Sequence, residues 1–186
     1  MAGDTFEMGM PDKIDIRQMG TDLVITRKWF GLKTLMMTAF VIFWDGFLVF
    51  WYSKATQGGE LMVKLFPLLH VSVGVWLTYY TLAGYVNKTY IRINYEKISV
   101  RHSPLPYWGH KTVLSRNVKQ LYTKEKISRS SKNQSVTYEV HALTHDGKSI
   151  RLIPYLESSE QALFVEQEIE KYLGIKNKPV RGEINR

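Results

Sequence analysis

Two long apolar runs, Leu32 to Tyr52 and Leu65 to Val86, dominate the hydropathy pattern. Each has about the ~20 residues that an α-helix needs to cross the hydrocarbon core of a bilayer. Residues 53–64 between them are enough for a turn but too few for a domain. The pattern therefore predicts a two-helix transmembrane hairpin with both chain ends on one side. Before the first run, Asp22 to Trp29 alternates: Leu23, Ile25, Arg27 and Trp29 share one side, Val24, Thr26 and Lys28 the other. This period of two predicts a strand within a pre-membrane segment, residues 14–31, that feeds straight into the first helix. Residues 1–13 show no periodicity and read as a mobile tail.

From residue 87 onward the period of two returns. Thr89 to Tyr95 and Lys97 to His102 read as strands, Pro104-Leu105-Pro106 breaks the pairing, and Tyr107 to His110 reads as loop or bend. Asn117 to Ile127 is a third strand, followed by a polar, mobile stretch from Ser128 to Ser135. Val136 to Thr144 alternates again, Asp146-Gly147 gives a two-residue hairpin signal, and Ser149 to Ile153 returns. The helix expected over 158–173 opens with Ser158 and Gln161 as a capping box. Ala162, Val165, Ile169 and Tyr172 line one face, and Gly174 ends the helix with Ile175 as its apolar contact. Residues 176–186 form a polar tail.

Antiparallel strands closed by one amphipathic C-terminal helix resemble the pleckstrin-homology-like (PH-like) fold, in which the helix plugs an open barrel. A transmembrane pair followed by such a domain is similar to small bacterial membrane proteins that carry PH-like domains. The resemblance rests on element order and covers Asp22 to Leu173. It implies a membrane α + β fold class: a two-helix transmembrane hairpin with a cytoplasmic antiparallel β domain, residues 87–175, in a bacterial inner membrane. Five strands are read after the hairpin, where a full barrel of this kind has seven. The Asp22 strand supplies another if the hairpin is inserted between strands.

Charge sets the orientation. Arg17, Arg27, Lys28 and Lys33 flank the first run, and Lys88, Arg92, Lys97 and Arg101 follow the second. The connecting loop has Lys54 and Lys64 offset by Glu60, so the positive-inside rule places both termini in the cytoplasm. Trp29, Phe30 and Tyr85 then mark the inner interface, Trp51 and Tyr52 the outer one. No basic n-region adjoins a short apolar stretch, so the first helix reads as an uncleaved anchor. The net charge of +8 falls wholly within residues 87–186. A basic domain beside a membrane points to anionic lipid or an acidic protein partner. No nucleic-acid motif accompanies the charge. The chain has no cysteine, which excludes disulfides, thiolate metal sites and a cysteine nucleophile.

Three groups of residues carry candidate chemistry. Asp45 lies about 5 Å outward of the midplane of the first run at ~1.5 Å rise per residue. A charge there costs about 2.5–3.5 kcal/mol and needs a partner. His70 falls at a similar depth in the second run, so an Asp45–His70 contact is expected, either as a lock on the hairpin or as a proton or ion site. Ser72, Gly74, Thr78 and Thr81 form a small-residue pattern that lets helices approach closely, within the hairpin or against another membrane protein. Lys111, Arg116, Lys119, Lys124, Lys126, Arg129 and Lys132 form a basic stretch that reads as solvated surface or as a contact for anionic head groups.

His141 and His145 share a weak H-x-x-x-H spacing, but a strand would turn them apart, so no metal site is read. No phosphate loop, nucleophile elbow, metalloprotease motif or dinucleotide fingerprint occurs, and neither an enzyme nor a cofactor is expected. The leading expectation is a non-catalytic, membrane-anchored adaptor or accessory subunit that docks on a larger membrane complex or a second copy of itself and binds protein through its β domain. The alternatives are an anionic-lipid surface sensor using residues 111–132 and a transport or proton-coupling subunit using Asp45 and His70.

Overall fold

The β-rich part of the chain is built from strands whose alternate side chains are apolar. The computed structural model describes residues 9–55, 61, 65, 67–129, 134–180 and 182–184. The chain falls into two units, residues 1–28, 89–102 and 106–186 in one and residues 29–88 and 103–105 in the other.

In the first unit, β1 (Ile14–Met19) and β2 (Asp22–Lys28) pair antiparallel, from Ile14 opposite Arg27 to Met19 opposite Asp22. Gly20 supplies the left-handed turn between them at φ 61°. β2 neighbours β3 (Lys88–Ile93), although the whole helical segment separates them in sequence. β4 (Lys97–Ser103) and β5 (Lys111–Leu114) complete the sheet in the order β1-β2-β3-β4-β5. A 3-10 turn at Ser115–Asn117 leads to a second sheet of β6 (Val118–Arg129), β7 (Gln134–Thr144) and β8 (Ser149–Leu156).

The C-terminal helix, α3 (Ser159–Leu173; α1 and α2 are the two helices of the second unit), packs on β6, β7 and β8. The core is shared: Ile25, Ile91, Ile93, Ile98 and Val100 come from the first sheet, Leu121, Val140, Leu152 and Ile153 from the second. Ala162, Val165 and Ile169 come from α3, and none of the twelve is more than 1% exposed. Each such aliphatic side chain larger than alanine contributes about 1.5–3 kcal/mol.

Local signals fix the ends of α3. Ser158 Oγ accepts from Gln161 N at 3.2 Å, while the Gln161 side chain accepts from Glu157 N and donates to the Asp12 carbonyl. The expected cap is present, but its return bond falls one residue earlier than a regular capping box. Gly174 ends the helix in the left-handed conformation at φ 67°, and Ile175 N returns to Glu170 O.

The second unit contains α1 (Leu32–Ala55) and α2 (Pro67–Val86). They run antiparallel, with Gly84 against Thr34 and Gly74 against Asp45 and Leu48. The expected two-helix transmembrane hairpin is corrected here. Among the described residues one helix, Leu32–Lys54, is long and apolar enough to cross a membrane, and most of its surface is exposed. α2 is long enough, but His70, Ser72, Gly74, Thr78, Thr81 and three tyrosines dilute its apolar character. Two-pass topology falls with the hairpin.

Other boundaries differ in detail. β1, within the pre-membrane segment 14–31, and β5 add to the strands that the sequence pattern predicts. The hairpin at Asp146-Gly147 has a four-residue connection, 145–148, closed by Thr144 N to Lys148 O. Of the expected segments, residues 1–8 of the tail, most of the 53–64 loop, 130–133, Arg181, Asn185 and Arg186 lie outside the described residues.

Candidate functional site

The two units each bring polar groups together. In the helical unit, Asp45 Oδ2 accepts from Thr78 Oγ1 at 2.8 Å. A Cβ on Gly74 would come within 2.8 Å of Asp45 Oδ1, so only glycine leaves room for the carboxylate. His70 lies against Trp44 instead, with ring centroids 5.8 Å apart, and its carbonyl accepts from Trp44 Nε1 at 3.2 Å. Asp45 and His70 are thus each held across the helix pair, by Thr78 and by Trp44. Gly74, Thr78 and Thr81 share the α2 face that meets α1, and Gly74 and Thr81 are buried. Ser72 is exposed and bonds back to Leu68 O, so it leaves this face. At the start of α1, Phe30 packs on Tyr85 at 5.3 Å, and Trp29 N donates to Asn87 O. Trp51 and Tyr52 lie near the opposite end of α1, both partly buried.

In the β unit, β7 alternates Val140 and Ala142 into the core with Glu139 and His141 on the other face. Glu139 is the hub. It accepts from His141 Nε2 at 3.1 Å and from Arg151 at 3.1 Å, and Lys126 Nζ lies 3.4 Å away. Burial alone would raise the Glu139 carboxyl, yet hydrogen bonds from His141 and Arg151, with the Arg151 and Lys126 charges, hold it below its ordinary value. His141 is pushed below its ordinary value by burial, against the pull of Glu139. It is therefore neutral at neutral pH. Its Nδ1 meets Ser149 Oγ at 3.0 Å, Ser149 meets the Tyr122 hydroxyl at 2.7 Å, and Tyr122 stacks on His141 at 5.3 Å.

A register shift in the β7–β8 pairing, from Tyr138 opposite Leu156 to Val140 opposite Ile153, puts one extra residue into β8. Tyr155 there adopts φ 59°, uncommon for a residue with a Cβ, and its exposed ring lies 5.5 Å from Lys126 Nζ. The sequence contains Glu139, His141 and Ser149 at strand spacing, but only the pairing of β7 with β8 reveals that they form one chain of hydrogen bonds.

The basic stretch divides. Arg116, Lys119 and Lys124 are exposed, Lys126 serves Glu139, and Lys111 donates to the Arg151 carbonyl. The Arg129 side chain and all of Lys132 lie outside the described residues. His145 is exposed in the turn after β7, apart from the His141 chain. Among the described residues no group of three His, Cys, Asp or Glu side chains is placed to hold a metal ion. An open cleft of about 490 Å³ lies beside the second sheet, between Lys124, Glu125 and Tyr138 on one side and Gly182, Glu183 and Ile184 on the other.

Fold and polar face together define a class: an α + β protein with, among the described residues, one helix apolar and long enough to span a membrane, and antiparallel sheets closed by a C-terminal helix. No protein-family model matches the chain, and no curated protein matches it.

Proposed function

We propose that the protein is a non-catalytic, membrane-anchored adaptor or accessory subunit. In this reading the apolar surface of α1 seats it on a bacterial inner membrane, and its PH-like β domain binds an acidic protein of a larger membrane complex from the cytoplasm. The observation that carries the reading is the insertion of the helical segment between β2 and β3, which are neighbours in one sheet. Only Trp29–Gly31 separate β2 from α1, and only Asn87 separates α2 from β3. An anchor joined so closely to a domain holds that domain near the bilayer and raises its effective concentration toward membrane-bound partners.

The surface of α1 supports anchoring. Ile42, Phe43, Val49 and Phe50 are each more than 60% exposed, an apolar area that calls for lipid or partner helices. Arg17, Arg27 and Lys28 precede α1 and Lys33 lies in its first turn, against Lys54 at its far end, which favours a cytoplasmic β domain.

Around Glu139 the cations outnumber the carboxylate, and Lys124 beside them is exposed, a surface suited to acidic side chains. The Glu139–His141–Ser149 chain has the parts of a nucleophile relay. Its carboxylate is already shared by Arg151 and Lys126, which weakens the support it could give an imidazolium. The engagement of Asp45 by Thr78 likewise favours a structural role over proton coupling.

The test is mild-detergent purification from the native membrane, with mass spectrometry and size analysis, of the wild-type protein and of a Lys124→Glu/Lys126→Glu variant. A stoichiometric partner that is lost from the variant, while its melting temperature is kept, is the expected result. A lone species carrying only lipid refutes the adaptor reading. Covalent labelling of Ser149 by a fluorophosphonate refutes the non-catalytic one.

A further inference from the structure

β6 lies at the edge of the order β6-β7-β8, so every second residue of β6 turns its N–H and C=O away from β7. Two bonds fix which residues these are. Leu121 N donates to Glu170 Oε1 of α3 at 3.3 Å, and Thr123 O accepts from Ile184 N of the C-terminal segment at 3.0 Å. The outward set therefore continues through Glu125, Ile127 and Arg129. α3 and the C-terminal segment meet this edge as far as Thr123. Among the described residues none bonds the outward backbone groups of Glu125 or Ile127.

The uncovered stretch, residues 125–129, is also where the sheet thins. β8 pairs with β7 no further than Tyr138, so residues 126–129 of β6 and 134–137 of β7 form a two-stranded ribbon. Such a ribbon is marginal in water without a third strand or a packed face. Ile127 and Val136, directly opposite each other on one face, are 45% and 39% exposed. Open backbone groups around an apolar centre are a template for a further strand.

The stretch is complementary to itself. A two-fold axis through Ile127 sets Ile127 against Ile127 of a second copy, and Glu125 against position 129, an arginine. The outward backbone groups of 125, 127 and 129 then bond in antiparallel pairs, with an acid facing a base at both ends. An axis at Lys126 or Glu125 sets that charge directly against itself, which destabilises a pair. An axis beyond Ile127 carries Glu125 past the end of β6. The favoured axis is also the centre of the uncovered stretch. A contact of this kind closes on itself and leaves neither copy's edge open.

We infer that the protein forms a two-fold dimer through the β6 edge, in which residues 125–129 pair antiparallel with the same residues of a second copy about Ile127. The two three-stranded sheets join into one, and the Ile127–Val136 patches of both copies become a single buried cluster. The acidic partner proposed above meets the other face of β7, around Glu139, so either contact can exist without the other.

Because the chain has no cysteine, one substitution gives one thiol. The full chain is purified in mild detergent as Ile127→Cys, as Glu125→Cys, and as Glu125→Cys co-expressed with Arg129→Cys, and each is oxidised with copper-phenanthroline. Ile127→Cys should give a disulfide-linked dimer, since facing residues of a bonded pair lie about 5.5 Å apart at Cα, within disulfide reach. Glu125→Cys alone should stay unlinked, its two copies being about 13 Å apart along the strands. Co-expression with Arg129→Cys should restore the link. Ile127→Pro removes one outward N–H without touching the ladder to β7, and should convert a dimer to a monomer in size analysis.

Equal cross-linking of Ile127→Cys and Glu125→Cys alone marks random collision and overturns the dimer, as does a wild-type chain that is monomeric at every concentration. A dimer that survives Ile127→Pro overturns the β6 edge as its contact. A dimer purified with no protein partner refutes the adaptor reading and leaves this inference standing. A partner complex that holds a single copy of the chain does the reverse.

Discussion

Gly74 is the position where one added methyl group does the most harm to the helix pair. Its Cβ would lie 2.8 Å from Asp45 Oδ1 and 3.3 Å from both Leu48 and Trp44. Gly74→Ala should push Asp45 off Thr78 and destabilise the pair by about 1–3 kcal/mol, read as a lower melting temperature in detergent. Thr78→Val, which removes the donor but keeps the shape, should cost about 1–3 kcal/mol.

A second residue-scale prediction concerns acid. His102 bonds Thr89 through Nδ1, and burial, with the His110 and Arg27 charges, lowers its pKa from 6.5 to about 4. The folded state therefore resists a proton that the unfolded state accepts. Stability is full above the unfolded value of 6.5 and is lost as the pH falls toward 4. The melting temperature should fall across that window, and His102→Gln should flatten the fall.

The candidate site was partly legible at this scale. Asp45 stood out because a carboxylate in an apolar run needs a donor, and Gly74 and Thr78 stood out as small residues. The partner of Asp45 was not legible, because sequence gives depth along a helix but not the rotation that aims Asp45 at Thr78.

At the scale of elements, the ends of α3 make the clearest test. Ser158→Ala removes the cap on Gln161 N and should cost about 1 kcal/mol. Gly174→Ala places a Cβ in the left-handed region at φ 67° and should cost about 1–2 kcal/mol. The sites are far apart on the helix, so the two losses should add in thermal unfolding. This helix was legible because cap, apolar stripe and terminal glycine agree. The long strands were legible for a similar reason: Val140 and Ala142 alternate with Glu139 and His141. β1 and β5 were not legible. β5 is four residues long with only Val113 buried, and the polar second half of β1 hides its alternation. Both become strands through pairing with a neighbour, which no local pattern records. α2 misled in the opposite direction, because an apolar run was read as a span although its tyrosines, threonines and His70 lower its hydropathy.

At the scale of the molecule, the sheet is assembled from two distant stretches of sequence. Asp22 on β2 meets Asn94 and Arg92 from the β3 side, and Ile25, Ile91 and Ile93 share one core. If the chain is opened within residues 56–60 and the two pieces are co-expressed, they should remain associated through membrane extraction and purification. Separation of the pieces would show that β2 contributes little to the sheet. Asp22→Ala/Arg92→Ala should weaken the association only slightly, since Arg92 is exposed and the pair is long at 3.5 Å.

The same connectivity has a consequence for synthesis on the ribosome. The β1–β2 hairpin leaves the ribosome first, yet its sheet neighbour β3 follows only after residues 29–87 have been made. At typical elongation rates that interval lasts about 3–12 s. An isolated two-stranded hairpin is marginal in water. Ile25, fully buried in the finished domain, faces solvent throughout the wait. Slower translation across the helices lengthens that exposure, so the pace of the ribosome enters directly into the yield of folded protein.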